Sequence, residues 1–187
     1  MAARATRAHP SSLFRVTALI VGLGNPGPSY AATRHNAGVL VLSELLEREG
    51  ARLSAHKKTN TEVAELSGGR VAARTRGYMN ESGGPVRALA GYFKVAPADI
   101  YVVYDELDLP FGEVALRPGG GDHGHNGLKS ISQSLGTREY NKLAVGIGRP
   151  PGRMSPADFV LKPFSKKESE ELPIIAADAV DALMLAL

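Results

Sequence analysis

The segment VTALIVGLGNPGPSYAATRHNAGVLVLSELLEREG (16–50) contains the clearest structural pattern of the chain. Its first residues, VTALIV (16–21), form an apolar run of strand length that Gly22 interrupts. A loop rich in glycine and proline follows. From about Asn36 the apolar residues recur with a helical period as far as Gly50, a residue typical of helix C-caps. A buried strand followed by a helix is the unit from which α/β folds are built.

Strand and helix patterns continue to alternate along the rest of the chain. Alternating apolar residues predict a hairpin over 62–66 and 70–76, and an i, i+3, i+4, i+7 spacing predicts a helix over 86–93. The later strands and helices are predicted at Ile100–Tyr104, Val114–Leu116, Leu128–Leu135, Leu143–Ile147 and from Ser165 onward. We therefore expect a single α/β domain with a twisted mixed β-sheet and helices on both faces.

The composition limits the class of protein further. The chain has 187 residues, of which 43% are hydrophobic and 22% charged, and at about 150 residues per domain this length predicts one domain. No apolar run approaches the ~20 residues needed to span a bilayer. The absence of cysteine excludes disulfides, thiolate catalysis and cysteine-bound zinc, and it fits a cytoplasmic protein. The net charge of +3 allows a partner that carries phosphates.

The two ends of the chain are expected to differ from its body. Residues 1–15 contain three arginines and no acid, a composition found in transit peptides. Because this segment has no clear apolar face, we expect a disordered extension ahead of a domain over 16–187. A capping box at 165–168 predicts a last helix, which Pro173 should kink or restart. The helix pattern ends at 181–187 without a stop signal, so we expect that further residues have been removed.

The first loop matches a nucleotide-binding fingerprint only in its spacing. Gly22, Gly24 and Gly27 fit G-x-G-x-x-G after a strand. That fingerprint requires the helix to begin inside the motif, so that its N-terminus meets the pyrophosphate. Here Pro26 and Pro28 delay the helix by several residues. The sequence therefore argues against a dinucleotide site.

His35 has the most suggestive position among the five histidines, because it ends a loop directly before a predicted helix. A base, a helix cap or an exposed side chain would each fit that position. His9 lies in the predicted extension, and His56 lies beside two lysines, where solvent exposure is expected. His123 and His125 offer a metal two ligands in a glycine-rich loop, but the sequence shows no clear third ligand.

Three acidic residues, Asp105, Glu106 and Asp108, follow the predicted strand that ends at Tyr104. Open α/β sheets bind ligands at the carboxyl ends of their strands, although a solvated acidic turn would explain each residue separately. A serine elbow is disfavoured, because the first glycine of G-x-S-x-G is missing before Ser82. One histidine, a strand-end aspartate and several loop asparagines suit hydrolysis by an activated water molecule.

Several segments resemble, in order and spacing, the motif blocks of bacterial peptidyl-tRNA hydrolase. The segments are GLGNPGPSYAATRHNAG (22–38), YMNESG (78–83), YDELDLPFG (104–112), GGGDHGHNGLKS (119–130), VGIGRPPG (145–152) and DFVL (158–161). The resemblance covers residues 16–187. It implies a single α/β domain that cleaves the ester between a nascent peptide and its tRNA, without a cofactor or a metal. We expect a monomer.

The resemblance also implies roles for individual residues. It makes His35 the catalytic base, Asp105 the carboxylate that orients this base, and Asn25 the residue that senses the acylated peptide. Asn25 is expected to donate to the peptide carbonyl and to accept from the peptide N–H. The implied substrate contacts are Tyr30 and Tyr78 at the tRNA 3′ end, Asn80 and Asn126 near the scissile ester, and Arg117 at a tRNA phosphate.

The chain departs from the family pattern at two places. Ala144 stands where the family has a second basic residue, so we expect one phosphate contact to be weakened, with Lys142 or Arg149 as compensating cations. The chain also stops short of the family's usual last helix end. The alternative to an enzyme is a non-catalytic RNA-binding module on the same fold, which should have lost His35 or Asp105; both are present.

Overall fold

The computed structural model describes residues 15–187, so nearly all of the predicted N-terminal extension lies outside the described residues. The strands are β1 (Ala18–Gly22), β2 (Ser54–His56), β3 (Thr61–Glu65), β4 (Arg70–Thr75), β5 (Ile100–Glu106), β6 (Val114–Pro118) and β7 (Asn141–Gly146). The α-helices are α1 (Ala37–Glu49), α2 (Gly83–Phe93), α3 (Asn126–Leu135), α4 (Pro156–Val160) and α5 (Lys166–Ala186). No helix in this part of the chain is long and apolar enough to cross a membrane.

The described strands form one seven-stranded mixed sheet in the order β2-β3-β4-β1-β5-β7-β6. The four central strands, β4, β1, β5 and β7, are parallel to one another, whereas β2, β3 and β6 pair antiparallel with their neighbours. The predicted hairpin is the β3–β4 pair. The carboxyl ends of the parallel strands share one edge of the sheet, and loops from several strands meet there.

Helices cover both faces of the sheet, because successive residues of a strand point to opposite sides. Ile20 of β1 belongs to an apolar cluster that includes Leu45 of α1 and Leu183 of α5. Its neighbour Leu19 belongs to a second cluster, with apolar residues of α2 and α3. The expected α/β domain with a mixed sheet and helices on both faces is confirmed.

Two local predictions need correction, and one strand was missed. Strand β5 extends two residues further than predicted, so Asp105 and Glu106 belong to the strand. Of the two outcomes expected at Pro173, a kink or a restart, the restart does not occur, because α5 continues through Pro173 to Ala186. Proline has no backbone N–H, so the carbonyl of Ser169 loses its usual helical hydrogen bond. Both Pro173 and Ser169 are exposed, and solvent can hydrate that carbonyl. Strand β2 was not predicted at all.

The predicted solvent exposure of His56 is wrong. The residue ends β2, is half-buried, and its ring lies 4.5 Å from the ring of Tyr92 at the end of α2. Its Nδ1 lies 2.8 Å from the hydroxyl of Thr59. The two adjacent lysines suggested a solvated surface, but α2 packs an aromatic side chain against this edge of the sheet.

Candidate active site

His35 and Asp105 meet at the edge where the parallel strands end. Asp105 is the next-to-last residue of β5, and His35 lies in a short 3-10 helix, Arg34–Asn36, directly before α1. Nδ1 of His35 lies 2.8 Å from Oδ2 of Asp105, and the two side chains are 11% and 1% exposed. The fold therefore brings together the two residues that the sequence singled out for base chemistry.

Asp105 is held in its ionised form. Burial raises the pKa of its carboxyl group, but the electrostatic attraction and the hydrogen bonds from the imidazoles of His125 and His35 outweigh this effect and lower the pKa to about 2. The second carboxylate oxygen, Oδ1, lies 2.7 Å from Nε2 of His125. Because a carboxylate only accepts hydrogen bonds, Nδ1 of His35 carries hydrogen. In the neutral ring, Nε2 of His35 then has a free lone pair.

His125 serves as the N-cap residue of α3 as well as a partner of Asp105. Its Nδ1 accepts from the backbone N–H of Gly127 at 3.1 Å and of Leu128 at 3.3 Å. A nitrogen that accepts these bonds carries no hydrogen, so His125 is the Nε2–H tautomer that donates to Asp105. The sequence offered His125 only as a metal ligand. Its place shortly before the predicted helix at Leu128–Leu135 was the signal for a cap.

The structure separates His123 from His125, which the sequence offered together as metal ligands. His125 binds Asp105, whereas Nδ1 of His123 lies 2.6 Å from Oε1 of Glu106. Ligand atoms of His35, Asp105 and His125 lie within 4.8 Å of one another. The hydrogen bonds that Asp105 accepts from both histidines account for this closeness.

Asn25 ties the loop after β1 to two other parts of the site. Its Oδ1 accepts from the backbone N–H of Met79 at 2.7 Å. Its own backbone N–H donates to Oδ1 of Asn36, and Nδ2 of Asn36 donates back to the carbonyl of Asn25, both at 2.9 Å. Met79 uses one of the two lone pairs of Oδ1, so acceptance from the peptide N–H, which needs the other lone pair, stays a prediction. Nδ2 of Asn25 has no partner within residues 15–187 and remains available to donate.

The remaining implied substrate residues differ in their exposure and surroundings. Tyr30 and Tyr78 pack edge to face with ring centroids 6.2 Å apart, and Tyr78 is 54% exposed. Asn80, in the 3-10 helix after Tyr78, is exposed as well. Asn126 lines a cavity of about 370 Å³, whose wall also includes His35 and Asp105. Asn126 thus shares a cavity with His35, whereas Tyr30, Tyr78 and Asn80 do not line that cavity.

The expected cations of the tRNA surface fall into two groups. Arg117 on β6 has a half-exposed side chain, and Arg149 is exposed and forms an ion pair with Asp108 at 2.6 Å. Lys142 is buried, and its Nζ donates to two backbone carbonyls, so it does not compensate for a missing surface cation. Ala144 is completely buried in β7. The expectation that residue 144 faces a tRNA phosphate is wrong for this alanine.

Comparison with known proteins identifies the family. The sequence profile of the peptidyl-tRNA hydrolase family matches residues 19–187. The chain belongs to the peptidyl-tRNA hydrolase family. A peptidyl-tRNA hydrolase of Corynebacterium efficiens is 62% identical over 165 residues, covering 88% of this chain and 93% of the relative. A peptidyl-tRNA hydrolase of Frankia alni is 55% identical over 172 residues, covering 89% and 87% of the two chains.

Solved structures of the peptidyl-tRNA hydrolase family share this fold. The crystal structure of peptidyl-tRNA hydrolase from Acinetobacter baumannii has a TM-score of 0.77 and 30% identity, covering 90% of this chain and 93% of that chain. A peptidyl-tRNA hydrolase in complex with N-propanol has a TM-score of 0.79 and 34% identity, covering 88% and 83%. The activity of the chain is hydrolysis of the ester between peptide and tRNA, and the alternative of a non-catalytic RNA-binding module finds no support.

Proposed function

We propose that this peptidyl-tRNA hydrolase works by general-base catalysis at His35. The observation that carries the proposal is the Asp105–His35 hydrogen bond of 2.8 Å at the wall of a cavity of about 370 Å³. Asp105 fixes the Nδ1–H tautomer of His35, so the lone pair on Nε2 can take a proton from water. Base catalysis of this kind contributes roughly 10²–10⁴-fold to a rate.

The reaction balances without a covalent enzyme intermediate. Nε2 of His35 accepts a proton as water attacks the ester carbon, and the ionised Asp105 stabilises the imidazolium that forms. The carbonyl oxygen becomes an oxyanion as the new C–O bond forms. When the tetrahedral intermediate collapses, the bond to the ribose oxygen breaks, and the imidazolium returns its proton to that oxygen. The products are a free tRNA hydroxyl group and a peptide carboxylic acid, which releases its proton to solvent and leaves as the carboxylate.

Two asparagines are placed to assist this step. The amide group of Asn126, which lines the same cavity as His35, supplies N–H donors for the developing oxyanion. Asn80 lies beside Tyr78 and positions the substrate near the ester. One such donor can contribute about 10²–10³-fold to catalysis, because it stabilises charge that exists only in the transition state.

The remaining residues select and hold the substrate. The amide N–H groups of Asn25 donate to the carbonyl of the first peptide bond, which ordinary aminoacyl-tRNA lacks. Tyr30 and Tyr78 contact the tRNA 3′ end, and Arg117 contacts a phosphate. Phosphate contacts carry no sequence information, so many tRNAs are accepted. The described domain alone supplies every residue of this site, which supports action as a monomer. We place the enzyme in the cytoplasm, where ribosomes supply the substrate.

Hydrolysis of N-acetyl-aminoacyl-tRNA in water enriched in ¹⁸O tests this mechanism. The proposal expects one ¹⁸O atom in the carboxylate of the released N-acetyl amino acid and none in the tRNA. His35→Ala should lower kcat by about 10²–10⁴-fold while the variant remains folded. The matched control is His56→Ala, which removes a histidine from β2. Full activity of a folded His35→Ala variant would exclude His35 as the base.

A further inference from the structure

A second pair of a carboxylate and an imidazole lies next to the first. Glu106 follows Asp105 on β5, and its Oε1 lies 2.6 Å from Nδ1 of His123. Only 2% of the Glu106 side chain is exposed. His123 and Glu106 line the same cavity as His35. The proposed mechanism uses neither Glu106 nor His123, so a well-formed contact with a buried carboxylate is left without a role.

His123 is held in a backbone conformation that few side chains adopt. Its φ angle is +52°, and the left-handed region that this value marks costs a residue other than glycine about 1 kcal/mol or more. Such a conformation persists only where the surrounding structure holds it in place. The bond to Glu106 provides that restraint, because it connects the middle of the loop to the end of β5.

The loop that contains His123 has few other restraints. Four of the six residues at 119–124 are glycines, which lose the most conformational freedom when they are ordered. The loop begins at Gly119, whose N–H donates to the carbonyl of Tyr140, and ends at His125, which binds Asp105. Between these two ends, the side chain of His123 contacts the sheet through Glu106 of β5.

The end of this loop carries two residues of the proposed reaction. His125 holds the second oxygen of Asp105, and Asn126 begins α3 at the cavity wall. Loop residues His123 and Gly124 form part of the same wall. A loop that is ordered before the substrate arrives does not have to lose its conformational freedom on binding, and this strengthens binding.

We propose that His123 is a positioning residue whose bond to Glu106 fixes the loop at 119–125, so that the cavity wall around Asn126 is formed before peptidyl-tRNA binds. The inference rests on the proposed function, because it assigns the substrate to this cavity. It predicts an effect mainly on KM, since the imidazole of His123 acts through the loop and not on the reacting atoms.

The other charged groups near Glu106 do not replace His123. Nη1 of Arg117 lies 3.8 Å from Oε1 of Glu106, beyond hydrogen-bond distance, and the Arg117 side chain is 44% exposed. The carboxylate of Asp108 is also close, but Arg149 forms an ion pair with it. The neutral imidazole of His123 can donate to Glu106 through Nδ1–H, so the restraint does not require a charged histidine.

The test compares His123→Gly with Asn60→Gly. Glycine tolerates the backbone conformation at both positions, since φ is +52° at His123 and +54° at Asn60 in the β2–β3 turn. Only the first variant removes a side chain bound to Glu106. Hydrogen exchange of the full-length proteins, followed by mass spectrometry, reports the order of each loop. Steady-state kinetics with N-acetyl-aminoacyl-tRNA reports kcat and KM.

His123→Gly should speed amide exchange across 119–125 and raise KM by about tenfold, the effect of losing one hydrogen bond to a charged group, with kcat within about twofold. Asn60→Gly should change neither kinetic constant. In the double variant with Glu106→Gln, KM should rise no further than in His123→Gly alone, because Glu106 acts on the loop through His123 and has already lost that partner. Wild-type exchange or an unchanged KM in His123→Gly would overturn the inference, and so would a loss confined to kcat. Full activity of a folded His35→Ala variant would instead refute the proposed function.

Discussion

Nε2 of His125 lies 2.7 Å from Oδ1 of Asp105, the carboxylate oxygen that His35 does not use. Asp105 is therefore held from both sides, and its carboxylate cannot rotate without breaking a hydrogen bond. His125 is itself fixed, because its other nitrogen caps α3. The direction in which Asp105 presents Oδ2 to His35 thus depends on the first turn of α3, which belongs to a different part of the fold.

Two substitutions at His125 separate its contact with Asp105 from its role as a helix cap. Asparagine is a favoured N-cap residue but is too short to reach Asp105 as imidazole does. Both His125→Asn and His125→Ala should lower kcat and lose the stabilising contact with Asp105, because Asp105 loses one restraint. His125→Asn keeps a cap on α3, so His125→Ala should be less stable than His125→Asn by about 1 kcal/mol.

Urea unfolding and steady-state kinetics on the same two variants check this prediction. The control is Ser165→Ala, which removes the N-cap of α5 far along the chain and should affect stability without affecting kcat. Equal kcat values for His125→Asn and the wild type would show that Asp105 orients His35 without help from His125.

Asp105 should also contribute to the pH dependence of stability. Its folded-state pKa of about 2 lies below the ordinary value of 3.8, so the ionised group stabilises the fold above about pH 4. That contribution is lost as the pH falls toward 2. Between pH 5 and pH 3 the free energy of unfolding of the wild type should therefore drop by about 1 kcal/mol more than that of Asp105→Asn.

Urea titrations at a series of pH values measure this difference. Asp178→Asn is the matched control, because it changes an exposed aspartate on α5 and should leave the pH dependence as in the wild type. Parallel curves for the wild type and Asp105→Asn would mean that Asp105 has an ordinary pKa, and the two imidazoles would then not hold it as an ion.

Local patterns in the sequence were sufficient for most of the fold. The apolar run before Gly22 forms β1, Gly50 ends α1 with a φ of +60°, and the capping box of Ser165 and Glu168 opens α5. Each of these features depends on neighbours within a few residues, which a sequence displays directly. The resemblance to a family then pointed to His35 and Asp105, which lie 70 positions apart.

Other features depend on contacts between distant segments and could not be predicted. The burial of Lys142 and Ala144 follows from the packing of β7 between β5 and β6. The alternation of side chains along a strand does not show which basic residue is buried. The contact between His125 and Asp105 requires α3 to begin beside the end of β5. Likewise, the backbone N–H of Met79 occupies Oδ1 of Asn25 from 54 positions away.

Arg117 should contribute one phosphate contact to tRNA binding. A plot of log K against log salt concentration has a slope of about −0.7 to −0.9 per phosphate contact. Arg117→Gln should therefore make the slope shallower by about one such step and weaken tRNA binding without changing kcat. Arg48→Gln is a control for net charge, since Arg48 lies in the last turn of α1. Fluorescence anisotropy with labelled tRNA measures both slopes, and an unchanged slope would place Arg117 outside the tRNA surface.

Asn25 should determine how well the enzyme distinguishes peptidyl-tRNA from aminoacyl-tRNA. Its Oδ1 already accepts from Met79, so Asn25→Asp keeps that contact while it replaces the Nδ2 donor with a charged carboxylate oxygen. The loss should reduce kcat/KM for N-acetyl-aminoacyl-tRNA by about tenfold, the effect of one hydrogen bond. Aminoacyl-tRNA has no peptide carbonyl to receive that bond, so its slow hydrolysis should change little. The ratio of the kcat/KM values for the two substrates should therefore narrow. Asn25→Ala should lose the loop contact as well and lower the stability of the protein. If Asn25→Asp slows both substrates equally, Asn25 supports the loop or the ester chemistry, and discrimination between the two substrates resides elsewhere.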